Sequence, residues 1–474
     1  MPSFFGKPLI TLPRSGQVTV EFGSDTSYGR RTWSRPTPTG GGGIDVLVAG
    51  MKAFSSFHMR AIVEFPEGTQ FVDKDHTFTT GGLPPERVPQ LTVTRPSGLP
   101  NNNGVELLDL IGGSKNQVLA AVTDLDGNLI WYYDYDSAWL GIPFPWKPLS
   151  NGNLLLILTG PGPQGLGTGG ILREIDLAGN TIRELSKDDL NQHLAAAGFN
   201  LSVASMTHDV VPLPNGHFVV LAYSVQSFTD LPGFPGQTDV AGDALVDLDA
   251  NWNPVWVWNA FDHLDVNRHP LSFPDWTHGN AVIYSPDDGN LLLSMRHQHW
   301  VIKIDYQDGL GSGNILWRLG YQGDFTMQSG GPEAWQYGQH FPVITSPNTT
   351  GVFDLLLFDN GTNRVLDTQG TICGTTGNPP CYSRAPIFRV DEVSRNVQVL
   401  SDGRLPLYSL ALGSVVLFDD GNVEADMGIL FPTSARVVEM TQEAVPQIVW
   451  QMDLNDQWAY RMYRIPSLYP GVQW

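Results

Sequence analysis

The chain has 474 residues, of which 16% are charged and 11% aromatic, with 51 Gly, 35 Pro and 14 Trp. That balance fits a turn-rich, strand-rich protein with a large core and excludes a mainly helical or disordered chain. Lys and Arg number 27 against 48 Asp and Glu, a formal charge of 27 − 48 = −21, and no basic run breaks the acidity. Nucleic acid is therefore repelled over most of the surface, and an anionic substrate needs a local basic pocket.

The opening, MPSFFGKPLITLPRSG, lacks the apolar stretch of a secretion signal. No apolar run reaches the ~18 residues that would span a bilayer. The expectation is a soluble protein with no membrane and no nucleic-acid partner, whose export signal, if it had one, has been trimmed.

Residues 15–95 read as a small β unit. GQVTVEFG, IDVLVAGMKAF, FHMRAIVEFP and HTFTTGG are alternating or β-branched stretches separated by Gly, Pro and Asp turns. Together they suffice for a β-sandwich of immunoglobulin-like size. The Pro- and Asn-rich stretch GLPPERVPQLTVTRPSGLPNNNG reads as a connection with one strand embedded in it. The expected division is an N-terminal immunoglobulin-like domain over 1–97 and a second domain over 98–474.

From Val105 onward a loose repeat sets in. Its unit is an Asn-Gly-Asn or Asp-Gly-Asn turn between apolar strands, as in DLDGNLIWYY, LSNGNLLLIL, PDDGNLLLSM and FDDGNVEADM. Units of roughly 45 to 70 residues give about six four-stranded blades, with seven as the alternative count, so the fold expected is all-β, a six-bladed β-propeller behind the sandwich. The blades divide near 104–148, 149–207, 208–277, 278–339, 340–410 and 411–460. One helix is expected, around SKDDLNQHLAAAGF, as an insertion.

Three histidines hold the same place in this repeat. His208, His278 and His340 each open a short apolar strand followed by a turn and a more apolar strand. In blades packed around one axis, equivalent residues converge on one channel. Arg296 ends the second strand of the unit that His278 begins, and antiparallel pairing returns it to His278. A planar five-donor cation beside an imidazole suits a tetrahedral oxyanion such as sulfate or phosphate. Asn280, two residues beyond His278, is a candidate neutral donor to the same anion. His297 and His299 alternate along the following stretch and read as packing or supporting groups. Each histidine alone could simply satisfy a hydrogen bond at a strand start; three in register argue for a shared site. A zinc site is the competitor, with Asp209 and Asp275 near enough to contribute, but a fixed guanidinium opposes a metal ion.

Cys373 and Cys381 lie eight apart in TICGTTGNPPCYS. This Gly/Pro-rich loop is flexible enough to close a disulfide ring, which would place the protein in an oxidising compartment; two free thiols are the alternative.

The blocks MTHDVVPLPNGHF, DWTHGNAVIYSPDDGNLLLSMRHQHWVIKID, WRLG, YGQHFPVI and LLLFDNG resemble the bacterial aryl sulfotransferases that use phenolic sulfate esters as donors instead of PAPS. VTVEFGSDTSYGRRTW, VLVAGMKAFSSFHMRAIV and DHTFTTG near the start, and DLNDQWAYRMYRIPSLYPG near the end, extend the resemblance over nearly the whole chain. It implies an immunoglobulin-like domain on a six-bladed propeller, a homodimer, a periplasmic or secreted location, no cofactor, and a small phenolic sulfate donor with a phenol acceptor. It implies that His340 is the nucleophile that becomes transiently sulfurylated, that Arg296 binds sulfate, that Asn280 assists it, and that His208 and His278 complete the catalytic set. Some members of that family carry a close cysteine pair before the nucleophile, whereas Cys373 and Cys381 follow His340. Two rival readings stand beside this one: a non-catalytic propeller that binds an anion or a partner, and a metal-dependent hydrolase on the same fold.

Overall fold

The computed structural model describes residues 6–113, 117–160, 168–348, 350–443 and 445–474. Sequence alternation becomes burial alternation from the start. Gln17–Gly23 buries Val18, Val20 and Phe22, and Ser56–Glu64 buries Phe57, Met59, Ala61 and Val63. The two strands pair antiparallel at the centre of a six-stranded sheet, while Leu9–Leu12 and Gly42–Asp45 form a separate pair. Their apolar faces share one core with Trp131 and Trp146 and with Leu468, Tyr469 and Val472 near the C-terminus.

Six further four-stranded arrays follow. Sheet 1 combines Val105–Ile111, Ala120–Thr123 and Leu129–Tyr133 with Trp458–Ile465. Sheet 2 is Ile142–Pro148, Leu154–Gly160, Thr168–Ile175 and Thr181–Ser186, and sheet 3 is Ser205–Pro212, Phe218–Leu231, Phe234–Leu248 and Pro254–Asn259. A single pair, Gly169 with Ser205, joins these two. Sheet 4 is Gly279–Ser285, Asn290–Met295, Trp300–Ile304 and Ile315–Leu319. Sheet 5 is His340–Ile344, Val352–Phe358, Ile387–Asp391 and Asn396–Ser401, edged by Thr326–Met327. Sheet 6 is Val415–Leu417, Val423–Leu430, Ser434–Met440 and Ile448–Asn455. Gln90–Thr94, the strand embedded in the Pro-rich connection, pairs with its outer edge.

The repeated turns have one construction. In DLDGN the Asp124 carboxylate accepts the backbone N–H groups of Asp126 and Asn128, and Gly127 takes a φ of 83° that a Cβ would resist. These turns mark hairpins rather than sheet boundaries, so two expected limits move. Ile142–Pro148, assigned from sequence to the first unit, opens sheet 2. Trp458–Ile465 leaves the last unit and completes sheet 1.

The leading strands pack in succession. Ile142–Pro148 lies against Ser205–Pro212, which touches Gly279–Ser285, then His340–Ile344, Val415–Leu417, Trp458–Ile465 and Ile142–Pro148 again. The expected helix is Lys187–Ala196, where the Ser186 hydroxyl accepts the Asp189 N–H and Leu190 and Leu194 face the core. Cys373 and Cys381 are disulfide-bonded, with Cα atoms 4.9 Å apart. Among the described residues no helix is long and apolar enough to cross a membrane.

Candidate active site

The leading strands bring the register histidines into one buried group. The ring centroids of His208 and His278 are 4.8 Å apart, edge to face, and those of His278 and His297 are 4.5 Å apart and stacked. His208 and His278 both hold left-handed backbone, φ 66° and 49°, a conformation that a non-glycine residue keeps only where its surroundings impose it. The Arg296 N–H donates to the His278 carbonyl at 3.2 Å, which is the strand return expected from the sequence.

Arg296 has few partners for a half-buried guanidinium. Its Nη1 donates to His297 Nε2 at 2.6 Å, its Nη2 reaches the Leu410 carbonyl at 3.4 Å, and its Nε has no partner. Burial pushes its pKa down, opposed by the charge of Asp275. No described carboxylate forms an ion pair with it, so it is an under-compensated cation with donors to spare, and an anion would relieve it.

Hydrogen bonds fix the imidazole tautomers. Because Arg296 only donates, His297 Nε2 is an acceptor and its Nδ1–H donates to the Asp275 carbonyl at 2.7 Å. At His340, the Asn360 Nδ2 donates to the Ser409 and Leu412 carbonyls, both at 3.0 Å, which turns Asn360 Oδ1 toward His340 Nδ1 at 2.6 Å. His340 Nδ1 therefore carries the proton and Nε2 the lone pair, met only by a long 3.3 Å contact from the Leu412 N–H. His278 Nδ1 meets Asp275 Oδ2 at 2.5 Å, and His208 Nδ1 meets Thr207 Oγ1 at 2.9 Å.

The electrostatics are those of buried imidazoles beside one cation. His340 is held well below the usual imidazole range, first by burial and then by Arg296, with His278 and His208 adding to the shift. His208 is lowered in the same way by burial and by His278. His278 falls to about 3 through burial and Arg296, and His297 to about 3 through burial and His278. Asp275 rises to about 6 because burial outweighs the neighbouring cation and imidazole.

A second layer closes the group from beneath. The Tyr460 hydroxyl lies 2.6 Å from the His208 carbonyl and 3.0 Å from that of Asn280, and Arg461 Nη2 donates to both carbonyls at 3.2 and 2.8 Å. Phe144 stacks on Tyr460 with centroids 4.0 Å apart and meets the edge of His208.

Three expectations need adjustment. The Asn280 amide already donates to the Gln339 carbonyl at 2.7 Å, and its buried Oδ1 is unpartnered, so only one of its N–H groups remains for a ligand. His297 and His299 do not alternate along a strand. Arg296–Gln298 is a 3-10 turn ending in left-handed His299, which swings His297 back over His278 and sends His299 Nδ1 to the Gly338 N–H at 2.9 Å. The metal alternative changes its members: Asp275, His278 and His297 place one ligand atom each within 4.8 Å of one another. Both nitrogens of His297 are already engaged, one by the Arg296 cation, so this trio does not suit a metal ion. Asn360, Tyr460 and Arg461 were not singled out from the sequence, since none occupies a repeated position.

The fold and site together define an all-β protein with a buried histidine–arginine centre suited to an oxyanion. The chain belongs to the arylsulfotransferase (ASST) family, whose sequence profile matches residues 102–461. No curated protein matches the chain. Solved structures that match the chain include Kuenenia stuttgartiensis hydrazine synthase at 15% identity and a TM-score of 0.25, covering 53% of this chain and 62% of that one. Cobalt-substituted Synechocystis ACO has 11% identity and a TM-score of 0.31, covering 97% and 96%. A DUF4221 member from Bacteroides vulgatus has 8% identity and a TM-score of 0.33, covering 79% and 97%.

Proposed function

We propose that the protein is a PAPS-independent arylsulfate sulfotransferase, moving a sulfuryl group from a phenolic sulfate ester to a phenol through a sulfohistidine on His340. The single observation that carries this reading is the tautomer of His340: Asn360 claims Nδ1–H and leaves the Nε2 lone pair beside an under-compensated guanidinium. Depression of its basicity keeps that lone pair unprotonated at neutral pH.

In the first half-reaction His340 Nε2 forms the N–S bond as the ester S–O bond breaks, and Arg296 with the remaining Asn280 N–H neutralises the sulfuryl oxygens. The ring becomes a cationic N-sulfoimidazole, and Asn360 Oδ1 stabilises it by keeping the Nδ1–H bond. The Asp275–His278 pair suits acid–base work better than His208, because only His278 is backed by a carboxylate. A bound sulfate covers Arg296, one of the two causes that depress His278, so the pair gains a proton and passes it to the leaving phenoxide. In the second half it takes the proton of the incoming phenol, whose oxygen attacks sulfur and frees His340.

The six sheets, with leading strands in a closed succession, support reading 98–474 as a six-bladed propeller, and the N-terminal sheets support an immunoglobulin-like unit over 1–97. The disulfide agrees with a periplasmic or secreted location, where the family resemblance also implies a homodimer.

The test is kinetic. With 4-nitrophenyl sulfate and a phenol acceptor, double-reciprocal lines should be parallel, and prolonged chelation should leave the rate intact with no PAPS required. Intersecting lines would rule out the sulfohistidine route, loss to chelator with rescue by a divalent ion would favour the hydrolase reading, and binding without turnover the non-catalytic one.

A further inference from the structure

A cavity of about 600 Å³ opens beyond the Tyr460–Arg461 layer, toward the opposite ends of the leading strands from the histidines. Its walls are apolar, with Val211, Ile283, Val343 and Ile344 among them. Its floor is charged: Lys147 Nζ lies 2.5 Å from Asp209 Oδ1, with 19% of the lysine side chain exposed and 2% of the aspartate. Asp209 is already saturated, because Arg461 Nη1 reaches the same oxygen at 3.3 Å and the Val282 N–H donates to Oδ2 at 2.9 Å.

The charge count is uneven. Two cations, Lys147 and Arg461, face the Asp209 carboxylate; burial pushes Asp109 behind them toward its neutral form and lowers Lys147 as well, the adjacent Asp209 charge opposing that second shift. Lys147 has three N–H donors and one described partner, so two donors remain where the cavity meets its floor. The acidic residue at the rim, Asp287, turns its carboxylate to the Asn348 N–H at 2.6 Å. An apolar chamber of this volume with a single cationic anchor accepts a flat or chain-like apolar body carrying one negative group, and a cation would meet like charge at the floor.

We propose that this cavity is a second binding site, distinct from the histidine centre, for an amphipathic organic anion such as an aromatic carboxylate, with Lys147 as its anchor. The assignment stands whether or not His340 carries sulfuryl groups.

The probe is 2-naphthoate, followed by its fluorescence on titration with the full-length protein. One saturable site is expected, about tenfold weaker or more in Lys147→Met, and unchanged in Arg296→Gln. Val211→Trp, which fills the chamber without touching the ion pair, should weaken binding similarly and serves if Lys147→Met does not fold. No saturable binding, binding unaffected by Lys147→Met or by Val211→Trp, or binding lost in Arg296→Gln would overturn the proposal, the last by moving the probe to the histidines.

Discussion

Arg296 offers the sharpest test because its roles in stability and in catalysis have opposite signs. It is a half-buried cation whose partners among the described residues are one imidazole nitrogen, one distant carbonyl and no ion-paired carboxylate. Taking such a group part-way out of water is unfavourable, and what it gains back here is small. Arg296→Gln removes the charge while keeping an amide that can donate toward His297, so the melting temperature should hold steady or rise by a few degrees. Turnover of 4-nitrophenyl sulfate should fall on the order of 10² to 10³, the loss expected for one oxyanion donor, or ~2.7–4 kcal/mol. Arg296→Lys keeps charge but not the fork, and should fall nearly as far. Sulfate supplies the deciding assay: at a hundredfold excess over its dissociation constant it stabilises a binding protein by about 2.7 kcal/mol. The wild type should therefore gain more in melting temperature from sulfate than either variant, the shared salting effect cancelling in the difference. Equal sulfate responses, or near-normal turnover in Arg296→Gln, would refute the assignment of Arg296 as the anion clamp.

Mixing the protein with an aryl sulfate and no acceptor should add one SO₃ group to the peptide containing His340, read by mass spectrometry without acid quenching; a label on another residue would move the nucleophile. Asn360→Ala frees His340 Nδ1, so kcat should drop by about 10- to 100-fold, corresponding to ~1–3 kcal/mol for a lost buried hydrogen bond, with KM for the donor little changed. A KM effect alone would mean that Asn360 merely shapes the pocket. The imidazole contribution to stability should fall with acid. His278, His297 and His299 sit at about 3 in the folded protein, against an ordinary value near 6.5, so the unfolded chain binds their protons first and stability present above pH 6.5 is lost toward pH 3. Buried carboxylates work the other way: Asp275 is raised to about 6, and Asp243 and Glu424 to about 7, so in the whole protein they offset the imidazoles between pH 6 and 4. His299→Gln removes one of these imidazoles, so its stability should fall less steeply from pH 6 to pH 4 than that of the wild type, by about 1.4 kcal/mol per pH unit; identical pH slopes would contradict burial of a neutral imidazole there.

The parts of the site legible in the sequence are those that the repeat itself locates. His208, His278 and His340 share a position relative to an apolar hairpin, and periodicity converts that into proximity; Arg296 follows from pairing two strands of one sheet. What escaped depends on closure between distant segments or on a local departure from the repeat. Arg461 meets Asp209 across 252 residues because the last strand leaves its own unit to complete sheet 1, and no local pattern encodes that exchange. Asn360 sits at the end of an ordinary apolar strand, and its importance lies in which way its amide turns, a choice made by the Ser409 and Leu412 carbonyls some 50 residues later. His297 was misplaced for a local reason: a strand reading of SMRHQHW assumes alternation, whereas left-handed His299 ends a tight turn and stacks His297 on His278. A repeat thus places the groups that bear charge, and the irregular contacts between repeats set their protonation. That division explains why the identity of the anion site could be argued from residue types, while the tautomer that makes His340 Nε2 the attacking atom required the packing of a segment with no motif at all.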